Sequence, residues 1–338
     1  PEGLSAVSLS QNESLRPPSP QAIEAAAAAV GGAELYPDPE WTALRHALAD
    51  AHAIPAQDIL CSAGSLDLIG AIARVYAGPE RAILAPAHAY PFFRTAAQMA
   101  GARFDTAPER AMTAHVDSLL AALRPDTGIV FLANPANPTG TRLPRAEVRR
   151  LHAGLPADVL LVLDEAYGEF SDALSEPNWD LPQTGNCIVL RTFSKAYGLA
   201  GLRLGWGLCP GSITQELHKV LNPNAVTAVS QAAALAALED QAYMRETCTL
   251  TADLRDKSAA FLQDTGLRVV ESHTNFLLLP FETADRAMDL EAFLTAQGVF
   301  LRRQGGAGLP AALRMTVGPA QVMARVLDEI GLWAKGER

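Results

Sequence analysis

The sequence lacks the features that mark several classes of protein. It has no apolar run of about 18 residues, the length that a membrane span requires. The alanine-rich stretch at 25–30 is too short for a signal peptide and has no basic leader. No basic block occurs, and the formal net charge is −10, which argues against a nucleic-acid partner. These absences predict a cytoplasmic protein that binds neither membranes nor nucleic acid.

Cysteine is scarce, and its positions exclude two further kinds of site. The four cysteines form no C-x-x-C pair and show no spacing typical of metal ligands, so we expect reduced, buried thiols and no metal. Charged residues make up 19% of the chain and hydrophobic residues 49%, which predicts a globular protein. At 338 residues the chain is long enough for two domains with a substantial core.

Periodicity and turn residues predict helices and strands along most of the chain. Ser19 and Pro20 predict a helix start, because a hydroxyl caps the first turn and proline fits its first position. The helical pattern at 225–263, broken near Asp240, should lead into a smaller C-terminal domain. Helices are predicted near 21–30, 41–53, 66–76, 90–101, 144–155, 210–220, 225–263, 284–297 and 319–333, and strands near 59–61, 81–85, 128–133, 159–163, 187–190, 204–208, 267–270, 275–279, 299–301 and 313–317.

Three polar motifs each follow a short apolar run that predicts a buried strand. The continuous apolar run at 159–163 is typical of a parallel strand that is covered on both faces. Ligands of open α/β sheets bind at the carboxyl ends of strands, where these motifs stand. The motifs are Asn-Pro-Ala-Asn-Pro-Thr-Gly at 134–140, Asp-Glu-Ala-Tyr at 164–167, and Arg-Thr-Phe-Ser-Lys-Ala-Tyr-Gly-Leu-Ala-Gly-Leu-Arg at 191–203.

The motifs supply the groups that pyridoxal phosphate (PLP) needs around its ring. Lys195 is the candidate amine for the Schiff base, which a lysine forms once its pKa falls. Asp164 can keep the ring nitrogen protonated, because a nearby carboxylate raises the pKa of that nitrogen. Asn137 and Tyr167 can donate to the phenolic oxygen of the ring. Glu165 is interpreted as a structural residue.

A second set of residues can bind the PLP phosphate. Arg203 offers a cation, and Thr192 and Ser194 offer hydroxyl groups. Gly64 and Ser65 open the helix that is predicted from residue 66, where backbone N–H groups can face an anion. A Gly-Ser turn alone is weak evidence, so this prediction depends on the other motifs.

Together and in this order, the motifs resemble the class I/II aminotransferases of PLP fold type I, and among them the histidinol-phosphate aminotransferase branch. The resemblance covers nearly the whole chain. It implies an α/β fold, with a mainly parallel seven-stranded sheet between helices in a large domain and a small α+β domain built from both chain ends. It further implies a homodimer with the active site at the interface. The expected parts are an N-terminal arm and helix joining the small domain (1–31), the large PLP-binding domain (32–222), and a linking helix with the small C-terminal domain (223–338).

The resemblance assigns two tyrosines to the cofactor. Tyr90 stands where the family places an aromatic ring against the pyridine ring. Tyr36 matches a tyrosine that reaches the cofactor phosphate of the neighbouring subunit, although a tyrosine before a proline is more often a packed loop residue. His88, which has no visible partner, is interpreted as structural or solvated.

The resemblance also assigns residues to the substrate. Arg314 matches the substrate-carboxylate arginine, whose guanidinium pairs bidentately with a carboxylate. Arg302 matches the arginine that is linked to the substrate phosphate in the histidinol-phosphate branch, and Asn275 is a further substrate-side candidate. Asn12 lies in the arm that folds over the active site in the family. There, Ser-Leu-Arg-Pro at 14–17 replaces the family's Asn-Pro-Tyr-Gly, and Arg16 could bind an anion in place of the missing tyrosine.

The resemblance implies transfer of an amino group from an amino acid or a phosphorylated amine, such as histidinol phosphate, to a 2-oxo acid such as 2-oxoglutarate. Lys195 would move the proton between the substrate Cα and the cofactor C4′. Aromatic amino acids and other phosphorylated amines stay open as donors. A PLP lyase similar to O-phosphothreonine decarboxylases is one alternative, because it shares these motifs. A non-catalytic PLP-fold binding module is another, which the missing basic DNA-binding segment argues against.

Overall fold

The computed structural model describes residues 6–174 and 176–336, in which the strands form three sheets. Most strands are short, and the central ones are fully buried. In chain order they are β1 (Val7–Ser8), β2 (Ile59–Ser62), β3 (Ala82–Pro86), β4 (Phe104–Ala107), β5 (Thr127–Ala133), β6 (Leu160–Asp164), β7 (Cys187–Thr192), β8 (Gly205–Leu208), β9 (Phe276–Pro280), β10 (Val299–Phe300), β11 (Arg302–Gln304) and β12 (Leu309–Thr316).

Eleven α-helices occur in the described part of the chain, and none of them is both long and apolar enough to cross a membrane. They are α1 (Pro20–Ala29), α2 (Thr42–His52), α3 (Ser65–Tyr76), α4 (Pro91–Met99), α5 (Val116–Ala121), α6 (Arg145–Gly154), α7 (Gly211–His218), α8 (Ala228–Glu239), α9 (Gln241–Asp264), α10 (Ala284–Ala296) and α11 (Ala320–Lys335).

The large sheet has seven strands in the order β2-β8-β7-β6-β5-β3-β4. All neighbours run parallel except those of β8, which pairs antiparallel with both β2 and β7. Helices α4, α5 and α6 connect successive parallel strands, whereas the described connection from β6 to β7 contains short 3₁₀ turns. The predicted mainly parallel seven-stranded sheet is therefore confirmed.

Both faces of this sheet are buried, because successive strand residues enter two different cores. In β6, Val162 packs into the core that includes α2, α3, α4 and α8, whereas Leu161 and Leu163 pack into the core that includes α5 and α6. Ile188 and Val189 of β7 divide in the same way. Side chains alternate across a strand, so only a strand that is apolar at every position can fill both cores.

A smaller unit is built from both ends of the described chain. β11, β12 and β9 form an antiparallel sheet, and β1 pairs in parallel with β10. Leu9 of the N-terminal arm packs in one core with Met315 of β12 and Trp333 of α11. The arm therefore packs with this smaller unit, while the division into domains, with boundaries at 31/32 and 222/223, remains a prediction.

Helix α1 departs from the expectation that it joins the small domain. It packs along α8, and its buried Ala22 belongs to the core of the large domain. Both helices are rich in alanine, whose small side chain lets two helix backbones approach closely. The predicted start of α1 is present: the Ser19 hydroxyl accepts the N–H of Ala22 at 3.3 Å, and Pro20 occupies the first turn.

Several short elements differ from the predictions made from the sequence. The strand predicted at 267–270 is wrong: the segment is irregular, and one backbone bond, from Val270 N–H to Leu278 O at 3.0 Å, ties it to β9. β1, β4, α5 and β11 have no more than six residues each and were not predicted. Such short segments carry too little periodicity to be recognised.

Candidate active site

A cleft of about 640 Å³ lies at the carboxyl ends of β5, β6 and β7, where residues of β11 and β12 complete its lining. The three polar motifs meet here, as expected for ligand sites of parallel sheets. The predicted site residues that line the cleft are Asn12, Ser65, Tyr90, Asn137, Asp164, Tyr167, Thr192, Ser194, Lys195, Arg203, Arg302 and Arg314.

Lys195 presents its amine to the cleft from the turn that follows β7. Its Nζ donates to the carbonyl of Asn12 at 2.9 Å and to that of Gln11 at 3.4 Å. Burial, followed by the positive charge of Arg314, lowers the pKa of Lys195 to about 8. An amine with this pKa is unprotonated often enough near neutral pH to act as a nucleophile or a base.

Asp164 is the last residue of β6 and is 6% exposed. Among the described residues, its carboxylate accepts one hydrogen bond, from the backbone N–H of Ala166 at 3.1 Å. Burial, which is the largest cause, raises the pKa of Asp164 to about 6, and the nearby Lys195 opposes this shift. A buried carboxylate with so few partners is stabilised by a cation placed beside it.

Tyr167 follows Asp164 after one turn of chain and is buried. Its phenolic oxygen accepts a hydrogen bond from Nδ2 of Asn12 at 2.7 Å, so the phenolic proton is left for a second acceptor. Burial raises the pKa of Tyr167 to about 12. The side chain therefore stays protonated near neutral pH and can serve as a donor in the cleft.

Asn137 is positioned by the loop that follows β5. The side chain of Asn134 accepts the N–H of Leu143 at 2.8 Å and donates to its carbonyl at 3.1 Å, which closes this loop. The peptide bonds before Pro135 and Pro138 are cis. Oδ1 of Asn137 accepts from Nη1 of Arg314 at 2.6 Å, which leaves the amide nitrogen free to donate elsewhere.

A third part of the lining gathers groups that bind anions. Gly64 is not itself in the lining, but a Cβ at this position would lie 2.5 Å from Nη2 of Arg203, so glycine allows the guanidinium to lie against the start of α3. In the described structure no side chain caps α3, whose first residue is Ser65. The hydroxyl of Thr192 donates to that of Ser194 at 2.9 Å. An uncapped helix start, a guanidinium and two hydroxyls form a set suited to phosphate.

Tyr90 ends the loop between β3 and α4, and its half-buried ring lines the cleft. The ring contacts Phe93 edge to face, with the centroids 5.7 Å apart. Burial raises the pKa of Tyr90. The ring is thus held in place and uncharged, which is what a stacking residue requires.

Two arginines stand side by side at the small-domain edge of the cleft. Arg302 of β11 is paired directly with Arg314 of β12, so both side chains leave the sheet on the same face. Nη2 of Arg314 donates to the carbonyl of Ser10 at 2.8 Å, while its buried Nε has no hydrogen-bond partner among the described residues. Burial lowers the pKa of Arg314, and Arg302 adds to this. Two adjacent cations with an unused donor favour an anionic ligand.

Three other predicted residues lie outside the lining of the cleft. The guanidinium of Arg16 donates to Glu246 at 2.7 Å and lies 3.9 Å from the ring centroid of Tyr243, so in this structure its charge is engaged by α9. Asn275 is buried beside the arm, whose carbonyls accept from its Nδ2 at 3.0 and 3.1 Å. Tyr36 is 87% exposed. None of these contacts brings the three side chains to the cleft of the described chain.

Sequence reasoning missed most of the contribution of the N-terminal arm. The carbonyls of Ser10, Gln11 and Asn12 accept the hydrogen bonds of Arg314 and Lys195. Backbone carbonyls leave no mark in side-chain patterns, so no sequence feature could have revealed them. The family resemblance, which places this arm over the active site, was the only available indication.

The residues of the cleft fit PLP as a group. The amine of lowered pKa suits the cofactor aldehyde, and the buried carboxylate of Asp164 suits a protonated ring nitrogen. Tyr167 and Asn137 retain donors, and the start of α3 suits a phosphate. Fold and site therefore define a PLP-dependent enzyme built on a fold type I scaffold.

The comparison with protein families agrees with this class. The model of the family "Aminotransferase class I and II" matches residues 5–330, which is most of the chain. The chain therefore belongs to the class I and II aminotransferases, whose members move an amino group between an amino donor and a 2-oxo acid.

Individual relatives are similar over nearly their whole length. The histidinol-phosphate aminotransferase of Paramagnetospirillum magneticum is 44% identical over 332 residues, covering 96% of this chain and 91% of that protein. The histidinol-phosphate aminotransferase of Rhodospirillum centenum is 40% identical over 331 residues, covering 97% and 91%. The solved structure of the Sinorhizobium meliloti histidinol-phosphate aminotransferase in complex with pyridoxal-5′-phosphate has a TM-score of 0.92 at 32% identity, covering 98% and 92%.

These similarities confirm the predicted enzyme class, a PLP-dependent aminotransferase of fold type I. They favour transamination over the lyase and over the non-catalytic binding module. The roles of single residues are a separate question, which the geometry of the cleft addresses.

Proposed function

We propose that this aminotransferase uses histidinol phosphate as its amino donor and 2-oxoglutarate as its acceptor. The observation that carries the proposal is the pair formed by Arg302 and Arg314 on neighbouring strands, in the same cleft as Lys195. Histidinol phosphate brings a phosphate to this pair, and 2-oxoglutarate brings two carboxylates. A guanidinium binds either anion with two parallel hydrogen bonds. The names of the relatives support the same donor.

In this proposal each cofactor contact falls to a named residue. Lys195 would bind the cofactor aldehyde, and Asp164 would hold a proton on the ring nitrogen. Tyr167 and Asn137 would donate to the phenolic oxygen, and Tyr90 would stack on the ring. The phosphate contacts would come from Arg203, Thr192, Ser194 and the backbone of Gly64 and Ser65. Arg203 lies against the start of α3, and Thr192 and Ser194 line the same cleft.

The proton transfer belongs to Lys195. PLP, when bound, supplies an electron sink for the pair of electrons that remains when the Cα proton leaves. With PLP and the amino donor bound, the amine of Lys195 would be the group that accepts the proton from the substrate Cα and releases it at C4′. Its pKa of about 8 suits both uptake and release of the proton, because the amine can bind and release a proton near neutral pH.

A substrate would replace the hydrogen bond between the arm and Arg314. At present Nη2 of Arg314 donates to the backbone carbonyl of Ser10, and a substrate carboxylate is a stronger acceptor for the same guanidinium. We assign Asn12 and Asn275 to holding the arm in place. The side chain of Asn12, which belongs to the arm, donates to Tyr167, and the side chain of Asn275 donates to the backbone carbonyl of Asn12. Arg16 would reach the substrate only if it left Glu246.

The proposal includes a homodimer located in the cytoplasm. Leu35 and Tyr36 are 70% and 87% exposed on one turn, a costly position for two large side chains unless a partner covers them. Tyr36 would then contact the cofactor phosphate of the second subunit. Sedimentation analysis tests the dimer: a monomer at working concentration that retains full turnover would contradict it.

A half-reaction tests the donor. PLP-loaded protein is mixed with histidinol phosphate, and the conversion of the cofactor to pyridoxamine phosphate is followed by absorbance. We expect rapid, complete conversion that 2-oxoglutarate reverses. Conversion by glutamate or an aromatic amino acid but not by histidinol phosphate would contradict the donor and keep the enzyme class. Carbon dioxide release from O-phosphothreonine would instead favour the lyase.

A further inference from the structure

The cleft includes one segment whose position is weakly fixed by its own chain. Residues 302–307 line the cleft almost continuously, from Arg302 to Ala307. Their strand, β11, has three residues, and its register against β12 shifts between Arg303 and Gln304. The following turn contains Gly305, Gly306 and Gly308. Glycine gains more conformational freedom than other residues when a structure loosens, so this turn needs an external anchor.

Apart from the pairing of β11 with β12, the bonds of the segment are local. Nε2 of Gln304 donates to the carbonyl of Arg302 at 3.0 Å, and the N–H of Gly308 donates to the carbonyl of Gly305 at 3.0 Å. Such bonds keep the shape of the turn but do not fix its distance from the large domain. The position of the Arg302 guanidinium in the cleft depends on that distance.

His88 supplies a bond from the opposite side of the cleft. Its Nδ1 lies 2.9 Å from the carbonyl oxygen of Ala307, so the ring donates from Nδ1 to this carbonyl. The same ring packs against Gly308, where a Cβ would lie 3.5 Å from Nδ1. Gly308 has a φ of 75°, which favours glycine in any case. The partner of His88 could not be predicted from side-chain patterns, because Ala307 offers only its backbone.

The loop that carries His88 is itself well fixed. The backbone N–H of His88 donates to Oε1 of Glu109 at 3.0 Å, and the N–H of Ala87 donates to the carbonyl of Ala107 in β4 at 2.9 Å. Two residues further on, Tyr90 lines the cleft. The side chain of His88 therefore connects the loop of the stacking tyrosine to the segment of Arg302.

We propose that His88 is a positioning residue for the donor-binding half of the cleft. It holds the 302–308 segment against the large domain and so fixes Arg302 at the distance that the distal anion of the amino donor requires. The role of Arg302 in this statement rests on the proposed function. The anchoring of the segment by His88 does not.

Two substitutions separate this role from a general effect on packing. His88→Ala removes the donor to Ala307. His88→Asn keeps an N–H at nearly the position of Nδ1, because the Asn amide nitrogen and the ring Nδ1 are equally far from Cβ. We expect His88→Ala to raise the KM for histidinol phosphate about tenfold, the effect of losing one hydrogen bond, with kcat nearly unchanged. His88→Asn should stay within about twofold of the unchanged enzyme.

Hydrogen exchange tests the anchor without any substrate. In the PLP-loaded protein, amides of 304–308 should exchange faster in His88→Ala than in the unchanged protein, and His88→Asn should restore slow exchange. Equal exchange in all three proteins, or equal KM values for His88→Ala and His88→Asn, would overturn the proposal. If another donor replaces histidinol phosphate, the KM comparison is made with that donor, so failure of the substrate assignment is visible separately.

Discussion

The carboxyl ends of β6 and β7 contribute to two groups of charged side chains, one in the cleft and one on the opposite side of the strands. The two groups differ in how their charges are paired. Asp164 and Thr192 face the cleft. Their neighbours, Glu165 and Arg191, point the other way, because side chains alternate across a strand. On that side a cluster is formed by Arg191, Glu165, Glu169 and Asp172, which we call the Arg191 cluster.

The Arg191 cluster is closed by ion pairs. Nε and Nη2 of Arg191 donate to Glu165 at 3.1 and 2.8 Å, and Nη1 and Nη2 donate to Asp172 at 3.0 Å each. Burial alone would lower the pKa of Arg191, but the three carboxylates raise it well above its ordinary value. The guanidinium also lies 4.8 Å from the ring centroid of Trp179. Glu169 is the exception within the cluster: its Oε2 has no hydrogen-bond partner among the described residues, and burial raises the pKa of Glu169 to about 7.

In the cleft, by contrast, neither the carboxylate of Asp164 nor the amine of Lys195 forms an ion pair with a described residue. Asp164 accepts one hydrogen bond from the described residues, and Nε of Arg314 has no partner among them. The pKa values of Asp164 and Lys195 are shifted toward neutrality by burial, to about 6 and about 8. A buried charge without a partner is costly, so this cost marks the place where a ligand belongs. In the Arg191 cluster the buried cation is instead paired with Glu165 and Asp172, so we interpret that cluster as structural.

Removing the central amine should have the largest effect on turnover. We expect Lys195→Ala to reduce turnover at least about 10³-fold, since binding of the cofactor aldehyde and proton transfer both depend on this side chain. The fold should remain intact, because Lys195 makes no ion pair in the described chain. Steady-state kinetics and circular dichroism measure the two effects, and normal turnover with the physiological donor would refute the assignment.

Breaking the Arg191 cluster should have the largest effect on stability. Arg191→Met leaves buried carboxylates without their cation, which costs about 3–5 kcal/mol of unfolding free energy. Denaturation in urea measures it. Arg150→Met is a matched control, because Arg150 also bonds two acidic residues, Glu147 and Asp117, but at the surface. An equal loss of stability in both variants would contradict the contrast between buried and exposed pairs.

The uptake of PLP by the apoprotein should follow the pKa of Lys195. An amine adds to an aldehyde only when it is unprotonated, and burial lowers the pKa of Lys195 to about 8. The uptake rate should therefore rise about tenfold per pH unit below that value and become constant above it. Stopped-flow absorbance measures the rate. A rate that still rises toward the ordinary lysine pKa of 10.5 would show that the amine is not buried in this way.

The smallest effect on substrate binding is expected from substituting Arg303, whose charge is already paired. Arg303 lines the cleft but forms an ion pair with Glu291, whereas no described residue pairs with the guanidinium of Arg302. Arg303→Ala should change the KM for histidinol phosphate less than about twofold. Arg302→Ala should raise it about tenfold or more, because a charged hydrogen bond to the anion is lost. Similar KM values for both variants would contradict the rule that unpaired charges mark the site.

The cleft residues of the large domain could be predicted because each stands next to a strand. Lys195, Asp164 and Asn137 follow runs that are apolar at every position, and parallel strands bring their carboxyl ends to one edge. The large sheet was predictable for the same reason. The order of its strands was not predicted.

Other features depend on contacts that sequence patterns do not encode. Arg16 stands in a segment where an anion-binding residue was expected, but the nearby Glu246 and Tyr243 of α9 hold it. Helix α1 was expected to join the small domain because the family resemblance implied a small domain built from both chain ends, whereas its alanine face packs on α8. The anchor at His88 ends on a backbone carbonyl, which any residue at position 307 would offer.

One comparison tests the contrast between the two centres most directly, through the neighbours Asp164 and Glu165. Burial raises the folded pKa of Asp164 from 3.8 to about 6, so its contribution to apoprotein stability is present below pH 4 and lost as the pH rises through about 6. The variant Asp164→Asn keeps a neutral side chain at every pH, so its stability does not fall as the pH rises through about 6. Glu165→Gln instead removes an acceptor from Arg191.

The measurement is the unfolding free energy of both apoproteins near pH 8, together with the turnover of both PLP-loaded proteins. We predict that Asp164→Asn stabilises by up to about 3 kcal/mol and lowers turnover at least about 100-fold. Glu165→Gln should destabilise by about 2–4 kcal/mol and leave the turnover of the folded enzyme within about threefold. The opposite pattern, a destabilised but active Asp164→Asn and a stable but inactive Glu165→Gln, would contradict the assignment of the two faces.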